Sequence, residues 1–195
     1  YLKQTRDHGL LYKRGNRQSR DEMLDSFADA SWCDNGAYTI AEQVDYAELP
    51  KDNGKSSGGH VVRYNGTPIE FKSKVINTVC LSTAESELKA AAECAKAVLH
   101  IRRLVEEITD NALTSPTTIY EDASAVLSQC EKTNYTIKSR VRHIGVAFWF
   151  LREQVQNGSV LLKKIDTKDQ LADLMTKFLE KILHEQLKER LMTPA

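Results

Sequence analysis

Asp29, Glu87, Asp122 and Asp173 are the side chains whose type and placement could do chemistry. Glu87 is the sharpest case. It falls in line with Ala84, Ala91, Cys94 and Val98, a helical stripe with no other charge. A carboxylate held away from water needs a partner, because leaving it unpaired is costly. A metal ion is one such partner; a boundary position open to water is the other. Its neighbour Glu85 precedes Lys89 by four residues, the favourable order for an exposed ion pair, and reads as a solvated face residue. The other three acids also have plain structural readings. Asp122 can cap a helix, Asp173 can share a solvated face with Asp169 and Lys177, and Asp29 can end a strand at a turn. What unites the four is location, at strand ends and helix starts, where open α/β sheets form their clefts.

The elements that must position these acids can be read from periodicity. The longest predicted helix spans Leu81–Ile108, with Leu88, Ala92, Ala95 and Leu99 on its core face and Ser82 or Thr83 as its cap. Before it come a strand at 24–32, with Phe27 and Asp29 on one face and Ala28 and Ala30 on the other, and a hairpin at 59–74. Asn65-Gly66 supplies the hairpin turn, which needs positive φ. After the helix come a buried strand at 117–122, helices at 123–132 and 144–156, and a strand at 159–165. A final helix is expected over 169–192, with Thr167 and Gln170 as a capping box. Trp149 and Phe150 are expected in the core, and 33–54 as a long loop. An antiparallel hairpin joined to strand–helix–strand crossovers implies an α/β protein with a five-stranded mixed sheet, three strands antiparallel and then parallel, flanked by helices.

Composition bounds the rest. With 41% apolar residues in 195, the chain can bury a core of its own. The 27 basic and 27 acidic residues cancel, so no global field announces a nucleic-acid partner. Charge is uneven, however: residues 1–22 read as a basic linker or arm, 23–179 as the main domain and 180–195 as a helical tail. Cys33, Cys80, Cys94 and Cys130 have no CxxC spacing and are expected as free thiols in a reducing compartment. No apolar run approaches membrane-spanning length, so a protein without a membrane partner is expected. The absent initiator methionine and the basic start point to a piece of something larger.

Eight stretches occur in a familiar order: YLKQTRDHGLLY, FADASW, GKSSGGHVV, PIEFKSK, LSTAESELKAAAECAKAVLHIRRL, TIYEDASAVL, KSRVRHIGVAFWFLREQV and DQLADLMTK. Together they resemble the ribonuclease H domain of copia-type LTR retrotransposon Pol polyproteins, preceded by the end of the reverse transcriptase. The resemblance covers almost the whole chain. It implies a ribonuclease H-like fold and places the catalytic, metal-holding acids at Asp29, Glu87 of Glu-Ser-Glu-Leu, Asp122 of Tyr-Glu-Asp and Asp173 of Leu-Ala-Asp-Leu. The uncharged helical stripe independently favours Glu87 over Glu85.

The resemblance further implies hydrolysis of the RNA strand of an RNA–DNA hybrid, leaving a 3′-hydroxyl and a 5′-phosphate. Two Mg²⁺ ions roughly 4 Å apart, with Mn²⁺ as a substitute, would hold the attacking and leaving oxygens in line. The reverse transcriptase of the same polyprotein is the implied protein partner, and an intracellular, cytoplasmic setting within a virus-like particle the implied location. Lys138, Arg140, Arg142 and His143 form a basic segment, with Arg152 beyond it and Lys72 and Lys74 on the hairpin, as candidate phosphate contacts. A solvated loop is the competing reading of that segment.

The chain departs from the family pattern in four places. Its 33–54 connection is longer than usual, Tyr-Glu-Asp-Ala-Ser-Ala replaces Tyr-Cys-Asp-Asn-Gln-Ser-Ala, and Gly145 stands where an aspartate is common. Lys177-Phe178-Leu179 replaces Lys-Pro-Leu, which leaves the last helix free to run on uninterrupted. These departures keep a second reading open, a decayed ribonuclease H-like module that binds hybrid or tethers the reverse transcriptase without cutting.

Overall fold

The computed structural model describes residues 8–10, 12, 23–33, 54–131 and 145–194. The basic arm, the 33–54 loop and the 133–143 segment therefore lie wholly or largely outside the described residues. Five strands form the main sheet: β2 (Leu24–Ser31), β3 (Ser57–Tyr64), β4 (Thr67–Val75), β5 (Thr117–Glu121) and β6 (Val160–Lys164). Their order is β4-β3-β2-β5-β6, with β4, β3 and β2 antiparallel and β5 and β6 parallel to β2. This is the expected mixed sheet. Asn65 and Gly66 both take positive φ, 52° and 77°, and close the β3–β4 hairpin as the sequence predicts. A separate two-stranded sheet, not foreseen, pairs β1 (His8–Gly9) with β7 (Thr193–Pro194).

Helix α1 (Thr83–Thr109) packs on one face of the main sheet, with α2 (Ser124–Glu131) and α3 (Gly145–Gln156) beside it. Its contact face is mostly small (Ala91, Ala95, Cys94, each fully buried), which lets the helix axis approach the sheet closely. Ser82 caps it, accepting from Glu85 N at 3.2 Å. Buried Arg102 ties its far end to β5 through the Leu113 and Ser115 carbonyls and the Thr117 hydroxyl. The opposite face of the sheet carries a smaller core of Phe27, Leu171, Ala172 and Leu187. Leu187 belongs to α5 (Lys181–Leu191), so the segment expected as a tail is part of the packing on that face. No helix among the described residues is long and apolar enough to cross a membrane.

Four sequence expectations need correction. Glu85 is not a solvated face residue: it is buried, accepting from Leu81 N at 2.9 Å and from Lys89 Nζ at 2.6 Å. A carboxylate at that position folds back over the free amides of the helix start, which the spacing rule for ion pairs does not see. Trp149 is not in the core but 50% exposed; the buried aromatic of α3 is Phe148. The last helix does not run over 169–192. It breaks into a short 3₁₀ turn (Thr167–Asp169), α4 (Asp173–Thr176) and α5, with Lys177 in extended backbone between the last two. Gln170 does not close a capping box either, because its amide donates to the Ala28 carbonyl of the sheet at 2.9 Å.

Candidate active site

Parallel register sets the first two acids side by side. β2 and β5 pair as Asp25 with Thr118, Ser26 with Ile119 and Phe27 with Tyr120. Two residues further along each strand lie Asp29 and Asp122, at the carboxyl ends of adjacent central strands, where α/β sheets open. Glu87 joins them from the second turn of α1, held by a 2.8 Å bond that its Oε2 accepts from Ala30 N. One carboxylate oxygen from each of Asp29, Glu87 and Asp122 lies within 4.8 Å of the other two. Asp29 is fully buried, while Glu87 and Asp122 are half-buried and open the cluster outward. Thr167 donates to Asp122 Oδ2 at 3.1 Å and Thr176 donates to Asp29 Oδ2, which fixes both carboxylates in orientation.

Asp173, buried at the start of α4, reaches the cluster indirectly. Lys177 Nζ lies 2.8 Å from Asp173 Oδ1 and 2.9 Å from Asp29 Oδ1, bridging the two acids. The close packing of α4 depends on Gly59, which pairs with Asp29 across the sheet. A Cβ there would stand 2.5 Å from Met175 Cβ and 2.8 Å from Thr176 Cγ2.

Crowded acids repel one another and hold protons. Burial, then the charges of Asp29 and Asp122, push Glu87 up to about 8 from its ordinary 4.5. Burial and the charge of Asp29 raise Asp173 to about 6, against the lowering effect of Lys177. Burial alone would lower Lys177, but Asp29 and Asp173 outweigh it and hold the ammonium above its usual range. Three converging hard oxygen donors with this much mutual repulsion fit a hard divalent cation such as Mg²⁺.

All four acids predicted from sequence thus meet at one end of the sheet, three directly and Asp173 through Lys177. The predicted basic residues divide. Lys72 and Lys74 are exposed on β4 and line a groove of about 590 Å³ between the hairpin and α1, together with Lys89 and Lys96. Arg152 is buried with its guanidinium 5.6 Å from the Trp149 ring centre, which removes it from the open surface that phosphate contact needs. Lys138, Arg140, Arg142 and His143 lie outside the described residues. Sequence reasoning missed two groups. Lys177 was legible only as surface charge, although its spacing of four from Asp173 was the available signal. Glu121, fully buried beside Asp122, has its Oε2 without a hydrogen-bond partner among the described residues, and burial, then Glu87, pushes its carboxyl well above the usual range.

A mixed five-stranded sheet in this order, flanked by helices, is a ribonuclease H-like fold. Solved structures agree on the fold. RNase H1 from the halophilic archaeon Halobacterium salinarum aligns with a TM-score of 0.51 over 78% of this chain and 93% of its own, at 11% identity. LC11-RNase H1 in complex with RNA/DNA hybrid gives 0.50 over the same shares, at 9% identity. The prototype foamy virus protease-reverse transcriptase gives 0.51 over 90% of this chain and 21% of its own, at 10% identity.

Sequence relatives place the chain more narrowly. It is 32% identical over 177 residues to the retrovirus-related Pol polyprotein from transposon RE1 of Arabidopsis thaliana, covering 91% of this chain and 11% of that protein. It is 30% identical over 191 residues to that from transposon RE2 of the same plant, covering 98% and 12%. The Pol polyprotein from transposon TNT 1-94 of Nicotiana tabacum is 31% identical over 138 residues, covering 71% and 10%. The chain therefore spans about a tenth of the length of the curated relatives it matches. No protein-family model matches it. The chain is homologous to a segment of retrovirus-related Pol polyproteins and fits the ribonuclease H domain of a copia-type Pol.

Proposed function

We propose that this domain is a divalent-cation-dependent endonuclease that cuts the RNA strand of RNA–DNA hybrids during retrotransposon reverse transcription. The observation that carries this reading is the meeting of Asp29, Glu87 and Asp122 within 4.8 Å on a ribonuclease H-like sheet. Asp29, Glu87, Asp122 and Asp173 would hold the metal, Mg²⁺ or Mn²⁺, with Asp29 as the shared ligand. When bound, divalent cations supply the activation of water and the stabilisation of the leaving oxygen in phosphodiester hydrolysis. Water attacks phosphorus, the bond to the 3′-oxygen breaks, and that oxygen leaves as a 3′-hydroxyl on taking up a proton.

The chain's own groups do the holding. The Ala30 amide fixes Glu87, the Thr167 hydroxyl fixes Asp122 and the Thr176 hydroxyl fixes Asp29, so the carboxylates need little rearrangement to accept a cation. Lys72 and Lys74 line the neighbouring groove on the α1 side and would meet backbone phosphates, while Lys89 and Lys96 in the same groove are paired with Glu85 and Glu93. Lys138, Arg140, Arg142 and His143 belong to the same proposed nucleic-acid surface, and the reverse transcriptase of the polyprotein is the proposed partner in cis.

A labelled RNA–DNA hybrid incubated with the protein, with and without Mg²⁺, tests the reading. Cleavage of the RNA strand only with Mg²⁺, lost in Asp29→Asn and Asp122→Asn, is the expected result. If both variants cleave as well as the parent, the assignment is wrong. A parent that binds hybrid and never cuts it would instead establish the decayed-module reading.

A further inference from the structure

The four acids do not form one uniform cluster. They form two seats that share Asp29. One seat is lined by Asp29, Glu87 and Asp122, with oxygens close enough to bind a common cation. The other lies between Asp29 and Asp173, and there a cation is already in place: the Lys177 ammonium, at 2.9 and 2.8 Å from the two carboxylates. Both carboxylate side chains are buried, at 0% and 2% exposure, whereas Lys177 is 31% exposed. The lysine therefore comes in from the solvent side and covers its two partners.

An ammonium is a compact point charge on a flexible four-carbon stem. Lys177 leaves α4 in extended backbone (φ −126°, ψ 148°), so its side chain can swing toward solvent without unwinding the helix. While it stays, a divalent ion at the second seat would face a like charge on the same oxygens. We propose that Lys177 is an intrinsic cation that competes with a divalent ion for the Asp29–Asp173 seat. Without nucleic acid the protein then binds one ion firmly, and a second only when the lysine withdraws. This proposal rests on the reading of the four acids as metal ligands.

Binding of Mn²⁺ to the whole 195-residue chain without nucleic acid, followed by calorimetry and by electron paramagnetic resonance, tests it. The parent, Lys177→Met (similar length, no charge) and Lys177→Arg (charge kept) are compared with Asp29→Asn. The parent should take one tightly bound ion. Lys177→Met should take two, the second tightened by about tenfold or more, as expected when one charge–charge repulsion at close range is removed. Lys177→Arg should return to the parent's pattern. Lys177→Met should also melt lower than the parent in metal-free buffer, and gain more on adding Mn²⁺. If parent and Lys177→Met bind ions with equal number and affinity, the proposal falls and the metal site stands; Lys177 then only ties α4 to β2. Two equally tight ions in the parent also overturn it. No ion in any variant overturns both the proposal and the metal reading beneath it.

Discussion

Burial and mutual repulsion keep a proton on Glu87 at neutral pH and on Asp173 below about pH 6, and this gives the metal-free protein an unusual pH response. Glu87 is raised from 4.5 to about 8 and Asp173 from 3.8 to about 6. Between the ordinary and the raised values, the folded chain binds protons that the unfolded chain has released. Stability therefore falls as pH rises through that window, roughly from 4 to 8. A tenfold difference in proton affinity between folded and unfolded chain is worth about 1.4 kcal/mol, and a domain of this size loses about 2–4 °C per kcal/mol. Calorimetric melting in chelator should show a Tm that drops by several degrees from about pH 5 to about pH 8. Mg²⁺ should flatten that slope, because a cation replaces the protons. A metal-free Tm that rises over the same interval would contradict the proton assignment. At this scale Glu87 was legible from its place on an uncharged stripe, whereas Asp29, Asp122 and Asp173 each had a plain structural reading and were singled out by the family resemblance. Lys177 and Glu121 were not, because their meaning depends on partners 148 residues away and next door on a strand whose inward face no pattern of charge reveals.

Elements bring those residues together, and one contact between elements governs the fourth acid. α4 closes on β3 only because Gly59 has no side chain: an added Cβ would fall within 3 Å of atoms in Met175 and Thr176. Gly59→Ala should push α4, with Asp173 and Lys177, away from Asp29. Overpacking of this kind costs about 1–3 kcal/mol. The expected outcome is a Tm lower by several degrees together with reduced Mg²⁺-dependent cleavage; an unchanged cleavage rate would show that α4 need not sit where it does. The long helix, the hairpin turn and the order of strands were legible, because α1 keeps one helical period for 27 residues and Asn65-Gly66 has few other uses. The broken final helix was not. Its residues carry good helical periodicity, but Gln170 and Asp173 are drawn into the sheet and the site, and tertiary contacts override the local pattern.

The whole molecule is a sheet with a core on each face, and the second core is small. It depends on Leu187, fully buried against Phe27, Leu171 and Ala172. Leu187→Ala should lower stability by about 2–5 kcal/mol and weaken the support behind Asp29 on β2, a loss readable as a fall in Tm. No change in Tm would show that α5 is dispensable to the fold. That role was hidden in the sequence, where 180–195 reads as a C-terminal helical tail; nothing in its periodicity says which face of the sheet waits for it. The balance of 27 basic and 27 acidic residues was equally silent about the proposed nucleic-acid surface, since Lys72 and Lys74 face one groove without changing the sum. The central claim is that side chains on three separate elements share divalent cations. Anomalous diffraction from crystals of the chain soaked in Mn²⁺ measures this directly. The expected result is a peak at about 2.0–2.5 Å from carboxylate oxygens of Asp29, Glu87 and Asp122 together. Ordered side chains at those three positions with no peak between them, at millimolar Mn²⁺, would contradict it.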